Sequence, residues 1–212
     1  MFSPKIIQQP SVSCFPFVHN LSQSRKDMTM TTVINKKTLY EGKFLKFVVA
    51  TYTDSLGIRR EWEFIERLNC NGIVAIVPVT EAREVLLIRQ FRPPVNRHVI
   101  EFPAGLNDKG DSIVEAARRE LLEETGYYAG EIIFLSEGPL SSGASGEILS
   151  VYLARDLQFK GTIERDETED IEVLRIPADA VPERLSAYRS QGDLVDLKIL
   201  GLLELAEETM RP

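Results

Sequence analysis

The most informative segment of the 212-residue chain is GLNDKGDSIVEAARRELLEETGY, residues 105–127. Ser112 stands three residues before Glu115, which is the spacing of a capping box, so its hydroxyl is expected to accept from the Glu115 amide. Gly126 follows the last helical position, where glycine adopts the left-handed conformation at the lowest cost. The segment therefore predicts a helix over 113–125. Three apolar side chains share the helix face that is expected to pack against a sheet: Val114, Ala117 and Leu121.

Three acidic residues gather at the C-terminal end of this helix, since Glu120, Glu123 and Glu124 are three or four positions apart or adjacent. Like charges at this spacing, and acids in a last helical turn, destabilise a helix by roughly 0.3–1 kcal/mol each. Clustered carboxylates are also the hard oxygen ligands that Mg²⁺ or Mn²⁺ requires. The pattern alone therefore allows two interpretations of the three glutamates: a solvated charged face of the helix, or a metal site. Arg119 lies four residues from Glu115 and from Glu123, and we expect it to support both carboxylates.

The spacing between the two glycines resembles a family signature. Gly105, five residues, an acid at Asp111, seven residues and then RELLEETGY (119–127) resemble the Nudix box, G-x5-E-x7-R-E-U-x-E-E-x-G-U, where U is a bulky apolar residue. Asp111 departs from the glutamate of the signature, and Tyr127 occupies the final apolar position. So many fixed positions at set spacing make the signal specific.

This resemblance implies a metal-dependent hydrolase. It implies that Glu120 and Glu124 are the principal ligands of the metal ions, that Glu123 binds a metal directly or through a water, and that the backbone carbonyl of Ala104 is a further ligand. Arg119 is expected to orient carboxylates and not to contact the substrate. The implied cofactor is Mg²⁺, with Mn²⁺ as the alternative. The implied fold is α/β (α+β): an α/β/α sandwich with a mixed central sheet, preceded by an antiparallel β-hairpin region.

Three further segments resemble the branch of this family that cleaves ADP-ribose and other nucleoside diphosphate sugars: REWEFIER (60–67), QFRPP (90–94) and IEFPAGL (100–106). With the box, the resemblance covers about residues 38–205. This branch usually carries a proline sixteen residues after the last glycine of the box, and here that position is Ser142. Because of this substitution, the resemblance favours ADP-ribose less strongly over other nucleoside diphosphate sugars as the substrate.

The resemblance also carries over five positions that contact the substrate: Trp62, Arg67, Arg92, Glu101 and Gly105. Trp62 would stack on a purine, or it is a core residue of its strand. Arg67 would contact the nucleotide, or it is an exposed strand arginine. Arg92 would pair with a phosphate, or it forms a surface ion pair. Glu101 would contact the substrate or fix Arg92.

Glu147 is the candidate catalytic base or ligand of a metal-bound water, and its alternative is an ordinary exposed loop acid. The acidic stretch 164–170 is interpreted as a solvated loop. The leucine-rich C-terminal helix is interpreted as core or dimer packing.

Apolar periodicity outside the box predicts a mixed sheet with helices on both faces. The run 73–79 is apolar throughout, as expected of a strand covered on both faces, and the turn 54–57 predicts a hairpin. Strands are predicted over 44–53, 58–67, 73–79, 84–91, 99–102, 131–135, 148–154 and 172–176, a loop over 103–111, and helices near 182–189 and 194–208.

Three regions follow from this pattern. Residues 1–35 are an N-terminal extension, expected to be flexible; its first 27 residues indicate an unstructured leader or a later start at Met28 or Met30, and a transit peptide is the alternative. Residues 36–70 form a β region that the resemblance implicates in dimerisation. Residues 71–212 form the Nudix hydrolase domain.

The composition excludes several functions. Apolar residues make up 43% of the chain, which is enough for a core, and the net charge of −7 argues against a nucleic-acid partner. No segment is long and apolar enough to span a bilayer. Cys14 and Cys70 give no disulfide framework, and two histidines give no zinc cluster. A cytoplasmic location fits best.

The expected function is hydrolysis of the pyrophosphate bond of ADP-ribose, or of a related nucleoside diphosphate sugar, by a homodimer. One alternative is a Nudix hydrolase for GDP-mannose or a dinucleoside polyphosphate. Another is a non-catalytic ADP-ribose-binding module. Asp111 favours the binding module, whereas the three retained glutamates and the acidic composition argue against it.

Overall fold

The computed structural model describes residues 30–161 and 170–211. The predicted extension up to residue 29 and most of the predicted acidic loop lie outside them. The described strands are β1 (Thr32–Glu41), β2 (Leu45–Thr53), β3 (Arg59–Arg67), β4 (Ile73–Pro78), β5 (Glu84–Arg92), β6 (Arg97–Glu101), β7 (Ala104–Leu106), β8 (Tyr127–Pro139), β9 (Ile148–Phe159), β10 (Ile171–Pro177) and β11 (Leu194–Val195). The helices are α1 (Ile113–Thr125), α2 (Val181–Ser190) and α3 (Lys198–Met210).

The N-terminal strands form a separate antiparallel sheet in the order β1-β2-β3. The predicted hairpin joins β2 and β3, and the Asp54 carboxylate closes its turn by accepting from the amides of Leu56 and Ile58 at 2.9 Å each. β1 was not predicted as a strand. It begins at Thr32, four residues before the predicted start of regular structure, because its pairing with β2 holds a segment whose own side chains are all exposed.

The remaining strands form two four-stranded sheets, with the orders β10-β5-β6-β11 and β7-β4-β9-β8. β4 runs parallel to β9 and antiparallel to β7, so the second sheet is mixed. All six residues of β4 are buried. Val74 and Ile76 face α1, whereas Ile73, Ala75 and Val77 face the cluster that contains α2 and α3. The prediction of a mixed sheet with helices on both faces is confirmed.

Helix α1 has the predicted bounds. The Ser112 hydroxyl accepts from the Glu115 amide at 3.3 Å, and Gly126 closes the helix with φ 77°. Ala117 and Leu121 are completely buried against the mixed sheet, while Val114 packs at the margin of the same cluster and is only half-buried.

Two short strands depart from the sequence prediction. β7 lies inside the predicted loop because Gly105 and its neighbours pair with β4. The last helix begins at Lys198, and not at Leu194, because Leu194 and Val195 pair in parallel with Val99 and Ile100 of β6. Both strands are too short, at three and two residues, to show a repeated alternation of apolar and polar side chains, so only their partners define them.

In residues 30–161 and 170–211, none of the helices has the length and apolar character that crossing a lipid bilayer requires.

Candidate active site

The C-terminal half of α1 lies directly against β7 at Gly105. A Cβ atom added to Gly105 would lie 1.9 Å from the carboxyl carbon of Glu120. Since real Cβ contacts are essentially never under 3.0 Å, only glycine lets the Glu120 carboxylate occupy this position. The glycine of the signature therefore has a physical reason: it makes room for an acid.

Glu124 lies beside this contact and is 5% exposed. Its Oε2 accepts from the amide of Ala104 at 2.9 Å. The pKa of Glu124 is raised to about 8, mainly by burial and also by the charges of Glu120 and Glu101, while the Ala104 amide and the charge of Arg92 oppose the shift. The site thus holds a carboxyl group that the protein environment disfavours in its ionised form.

Arg119 links the acids of this region. It donates to Glu120 at 2.6 Å, to Glu123 at 3.0 Å and to the carbonyl of Leu106 at 3.0 Å. Its Nε also contacts Asp111 at 3.3 Å, so the acid that departs from the signature takes part in the same network. Burial raises the pKa of Glu120, and Arg119 acts against that shift.

The predicted support of Glu115 by Arg119 is wrong. The Glu115 carboxylate lies 3.6 Å from Arg118, three residues along the helix, while Arg119 turns toward β7. The periodicity allowed either arginine, and the carbonyl of Leu106 provides the tertiary partner that draws Arg119 to the other side.

Glu123 is the outermost of the three predicted ligands. Its carboxylate contacts Lys109 at 3.2 Å as well as Arg119. Within the described parts of the chain, no group of three His, Cys, Asp or Glu side chains is arranged to hold a metal ion. The structure therefore brings Glu120 and Glu124 together and leaves Glu123 at the margin.

A cavity of about 350 Å³ opens in front of Ala104 and Gly105. Its wall includes Arg92, whose Nε donates to Glu101 at 2.7 Å. Burial raises the pKa of Glu101, and the hydrogen bond from Arg92 opposes the shift. Of the two predicted roles of Glu101, contact with the substrate or fixing of Arg92, the structure shows the contact with Arg92.

Arg67 lines the same cavity from β3. Its Nε donates to Glu147 at 2.5 Å, so the loop acid that was considered as a base is held by an arginine of the N-terminal sheet. Arg67 also lines a neighbouring cleft with Glu147 and Cys70. Arg67 and Glu147, 80 positions apart in sequence, therefore form one pair at the rim.

Trp62 is not a core residue, since half of its surface is exposed. Its indole Nε1 donates to the carbonyl of Gly143 at 3.0 Å. Trp62 and Phe64 line an open groove of about 490 Å³ between the N-terminal sheet and the loop 140–147. Ser142, at the position of the missing proline, lines the same groove.

The loop 140–147 is tied to β3 by its backbone. The amide of Ile65 donates to the carbonyl of Ala144 at 2.9 Å, and the amide of Gly146 donates to the carbonyl of Ile65 at 3.4 Å. These bonds fix Glu147 and the groove relative to the same strand.

Comparison with known proteins agrees with this arrangement. The family model described as NUDIX domain matches residues 71–196. The chain belongs to the Nudix hydrolase family. The matched region contains β7, α1 and most of the residues that line the cavity, whereas Trp62 and Arg67 precede it and Lys198 follows it.

Two relatives of this Nudix protein and one solved structure support the assignment. The chain is 32% identical over 182 residues to a mouse ADP-sugar pyrophosphatase, with 79% of this chain and 83% of the relative covered. It is 33% identical over 144 residues to a Bacillus subtilis ADP-ribose pyrophosphatase, covering 68% and 76%. A crystal structure of an ADP compounds hydrolase superposes with a TM-score of 0.70 and 25% identity, covering 87% of this chain and 96% of the other.

Nudix hydrolases in general use divalent metal ions, and the residues of this site fit such an ion. Glu124 is buried and Glu120 is half-buried, and burial is the main cause that raises the pKa of both, so a cation beside them would relieve an unfavourable charge. Both offer hard oxygen donors. Two carboxylates leave further positions around such an ion to water.

Two cavity residues were missed by the sequence analysis. Asp196 and Lys198, at the start of α3, line the wall of the cavity together with Leu202. The leucine-rich pattern of that helix indicated only packing, and no signal in the sequence places its first turn beside Arg92.

Proposed function

We propose that the chain hydrolyses the pyrophosphate bond of ADP-ribose, or of a related nucleoside diphosphate sugar, to a nucleoside monophosphate and a sugar phosphate. The observation that carries this proposal is a pair of carboxylates packed against two cavity residues: half-buried Glu120 lies against Gly105, and buried Glu124 accepts from the amide of Ala104. Arg67 and Arg92 line the same cavity as Ala104 and Gly105. The two relatives, an ADP-sugar pyrophosphatase and an ADP-ribose pyrophosphatase, support the same substrate class.

In this proposal Glu120 and Glu124 are the principal ligands of Mg²⁺, with Mn²⁺ as the alternative. Glu123 contributes directly or through a water, and the carbonyl of Ala104 completes the protein ligands. A bound divalent cation neutralises phosphate charge and lowers the pKa of a coordinated water. Arg119 is a positioning residue, because it contacts two of these carboxylates and the β7 backbone at once.

The arginines of the cavity bind the diphosphate. A guanidinium group offers paired N–H donors that match two phosphate oxygens. Arg92 is held by Glu101 and Arg67 by Glu147, so each arginine is oriented by one acid and keeps its remaining donors for the substrate. Glu147 is the candidate base, since it contacts the cavity residue Arg67, lines the neighbouring cleft and lies on a loop fixed to β3.

Trp62 stacks on the nucleobase through its exposed face. We expect Trp62→Ala to raise KM for ADP-ribose about 10-fold with a smaller effect on kcat, since stacking of one base on an aromatic ring contributes roughly 1–3 kcal/mol. Steady-state kinetics measure both constants.

The matched control is Trp62→Phe, which keeps an aromatic face but loses the hydrogen bond to Gly143. It is expected to recover most of the KM of the original protein. Equal KM values for Trp62→Ala and the original protein would contradict the stacking role.

The dimer is proposed to form through the N-terminal sheet. Of the described residues of β1, β2 and β3, only Val48 and Ala50 are buried. An apolar surface of this kind on a folded protein commonly marks an interface. The exposed apolar side chains include Val33, Ile34, Leu39, Tyr40, Phe44 and Phe47.

Sedimentation velocity tests this assembly. We expect a species of about twice the 23.9 kDa chain mass at micromolar concentration, and a monomer under these conditions would overturn the proposal.

Residues 36–70, with the start of β1, are accordingly proposed as a dimerisation region, and 71–212 as the catalytic domain. The free thiol of Cys70 supports a cytoplasmic location.

The substrate is tested with a panel of ADP-ribose, ADP-glucose, GDP-mannose, a diadenosine polyphosphate and NADH, each with Mg²⁺. We expect an ADP-sugar to have the highest kcat/KM. Preference for GDP-mannose would overturn the expected preference for an ADP-sugar. Preference for a dinucleoside polyphosphate would overturn the substrate class and leave the Nudix chemistry standing. Binding of ADP-ribose without cleavage of any compound would favour a binding module and give weight to Asp111.

A further inference from the structure

The first turn of α3 contributes a polar patch to a cavity wall that is otherwise mainly apolar. Asp196 and Lys198 line the cavity beside Arg92 and Glu101, and Leu202 follows one turn later. Neither residue belongs to the Nudix box or to the positions carried over from the family.

Both side chains are fixed in place. The amide of Asp196 donates to the carbonyl of Ile100 at 2.9 Å, which continues the parallel pairing of β11 with β6. The Asp196 carboxylate accepts from the backbone amide of Lys198 at 2.8 Å and from its Nζ at 2.6 Å. The buried side chains of Ile199 and Leu203 anchor the helix behind them.

Their position is next to the phosphate-binding residues. β11 and β6 are in register at Val195 and Ile100, so the next residues along each strand, Asp196 and Glu101, are neighbours. Glu101 in turn holds Arg92. Asp196 and Lys198 therefore lie next to Arg92, which is proposed to bind the diphosphate.

The cavity suits a hydroxyl-rich group better than a nucleobase. Of the described residues that line it, only Phe102 is aromatic, and Phe102 is 4% exposed. The cavity thus offers no open ring face for stacking, whereas the groove at Trp62 does. A carboxylate and an ammonium group side by side instead match sugar hydroxyls, which both donate and accept hydrogen bonds.

We infer that Asp196 and Lys198 contact the sugar attached to the second phosphate and select substrates that carry a polyhydroxylated group there. This inference rests on the proposed function and names two specificity-determining residues for it. Asp196 accepts from the sugar hydroxyls, and Lys198 holds Asp196 while donating to a sugar oxygen.

The test compares ADP-ribose with the methyl ester of ADP, which keeps the nucleotide and the pyrophosphate but has no sugar on the second phosphate. The measured quantity is the ratio of kcat/KM for ADP-ribose to kcat/KM for the methyl ester. We expect Asp196→Asn to lower this ratio about 10-fold, as loss of a charge-assisted hydrogen bond does. Asparagine keeps an oxygen that accepts from the Lys198 amide, so the helix start is preserved.

Lys198→Gln is expected to lower the same ratio by about 3-fold, and the double variant by less than the product of the two effects, because the side chains contact each other. Glu204→Gln is the matched control: it lies on the same helix, its side chain is 62% exposed, and its partner is Arg211. Its ratio is expected to equal that of the original protein. A loss of folding would lower both kcat/KM values together and would leave the ratio unchanged, and thermal unfolding identifies that case.

The outcomes separate the inference from the proposed function. If the original protein cleaves ADP-ribose and Asp196→Asn, folded, leaves the ratio unchanged, the function stands and the inference is overturned. A ratio near one in the original protein also overturns it. If the original protein cleaves neither compound, the proposed function fails and the inference fails with it.

Discussion

Glu124→Gln is expected to lower kcat/KM for ADP-ribose by roughly 1,000-fold, equivalent to about 4 kcal/mol of lost transition-state stabilisation. The reason is that glutamine removes a principal metal ligand and the charge that the cation neutralises. Glutamine still offers an oxygen to the Ala104 amide, which now bonds Glu124 at 2.9 Å. The variant is therefore expected to fold, and steady-state kinetics in Mg²⁺ measure the loss.

The same variant is expected to stabilise the metal-free protein at alkaline pH. The pKa of Glu124 rises from an ordinary 4.5 to about 8 on folding, so the folded state favours the protonated acid. The associated stability is fully present below about pH 4.5 and is lost as the pH rises to about 8. Removing the ionised buried acid should therefore raise Tm by roughly 5 °C at alkaline pH in EDTA, and by almost nothing at about pH 5.

The matched control is Glu115→Gln, which lies on the same helix with a side chain that is 63% exposed and contacts Arg118. It should change neither kcat/KM nor the pH dependence of Tm. Mg²⁺ should raise the Tm of the original protein at alkaline pH and leave that of Glu124→Gln nearly unchanged. Full activity in Glu124→Gln would contradict the role of this acid. So would equal Tm values for Glu124→Gln and the original protein at both alkaline pH and about pH 5.

Gly105→Ala is expected to lower kcat/KM about 100-fold with only a small change in Tm. The added methyl group would occupy the position of the Glu120 carboxyl group, 1.9 Å from its carbon. Because the atoms in conflict are the end of a flexible side chain, the fold adjusts by moving that carboxylate away from β7. The metal site loses a ligand while the core stays intact.

Gly138→Ala provides the control for this substitution, since a Cβ atom at Gly138 meets nothing within 4 Å. Kinetics and thermal unfolding of both variants give the comparison. A Gly105→Ala protein with normal activity would show that the Glu120 carboxylate does not need this position.

The helix of the site was predictable because its signals are local. Ser112 and Gly126 are the two ends of α1 as the sequence predicted, and the acids near its C-terminus oppose the helix dipole, which indicated a functional cluster. The pattern of the acids alone could not rank them, and the order in which Glu120 and Glu124 precede Glu123 came from the resemblance to the Nudix box. Only the packing of α1 against β7 buries Glu124 and leaves Glu123 beside Lys109.

The features that the sequence did not predict depend on partners distant along the chain. β11 is two residues long and exists because β6 pairs with it, so the first turn of α3 reaches the cavity. The Arg67–Glu147 pair joins residues 80 positions apart. The resemblance named both residues separately, and only the folded chain brings them together.

The most direct test of the account is the product analysis of ADP-ribose incubated with the purified protein, with Mg²⁺ and with EDTA, followed by mass spectrometry. We expect AMP and ribose 5-phosphate in Mg²⁺ and intact ADP-ribose in EDTA. Intact ADP-ribose under both conditions, or the same products at the same rate in EDTA, would contradict a metal-dependent pyrophosphatase.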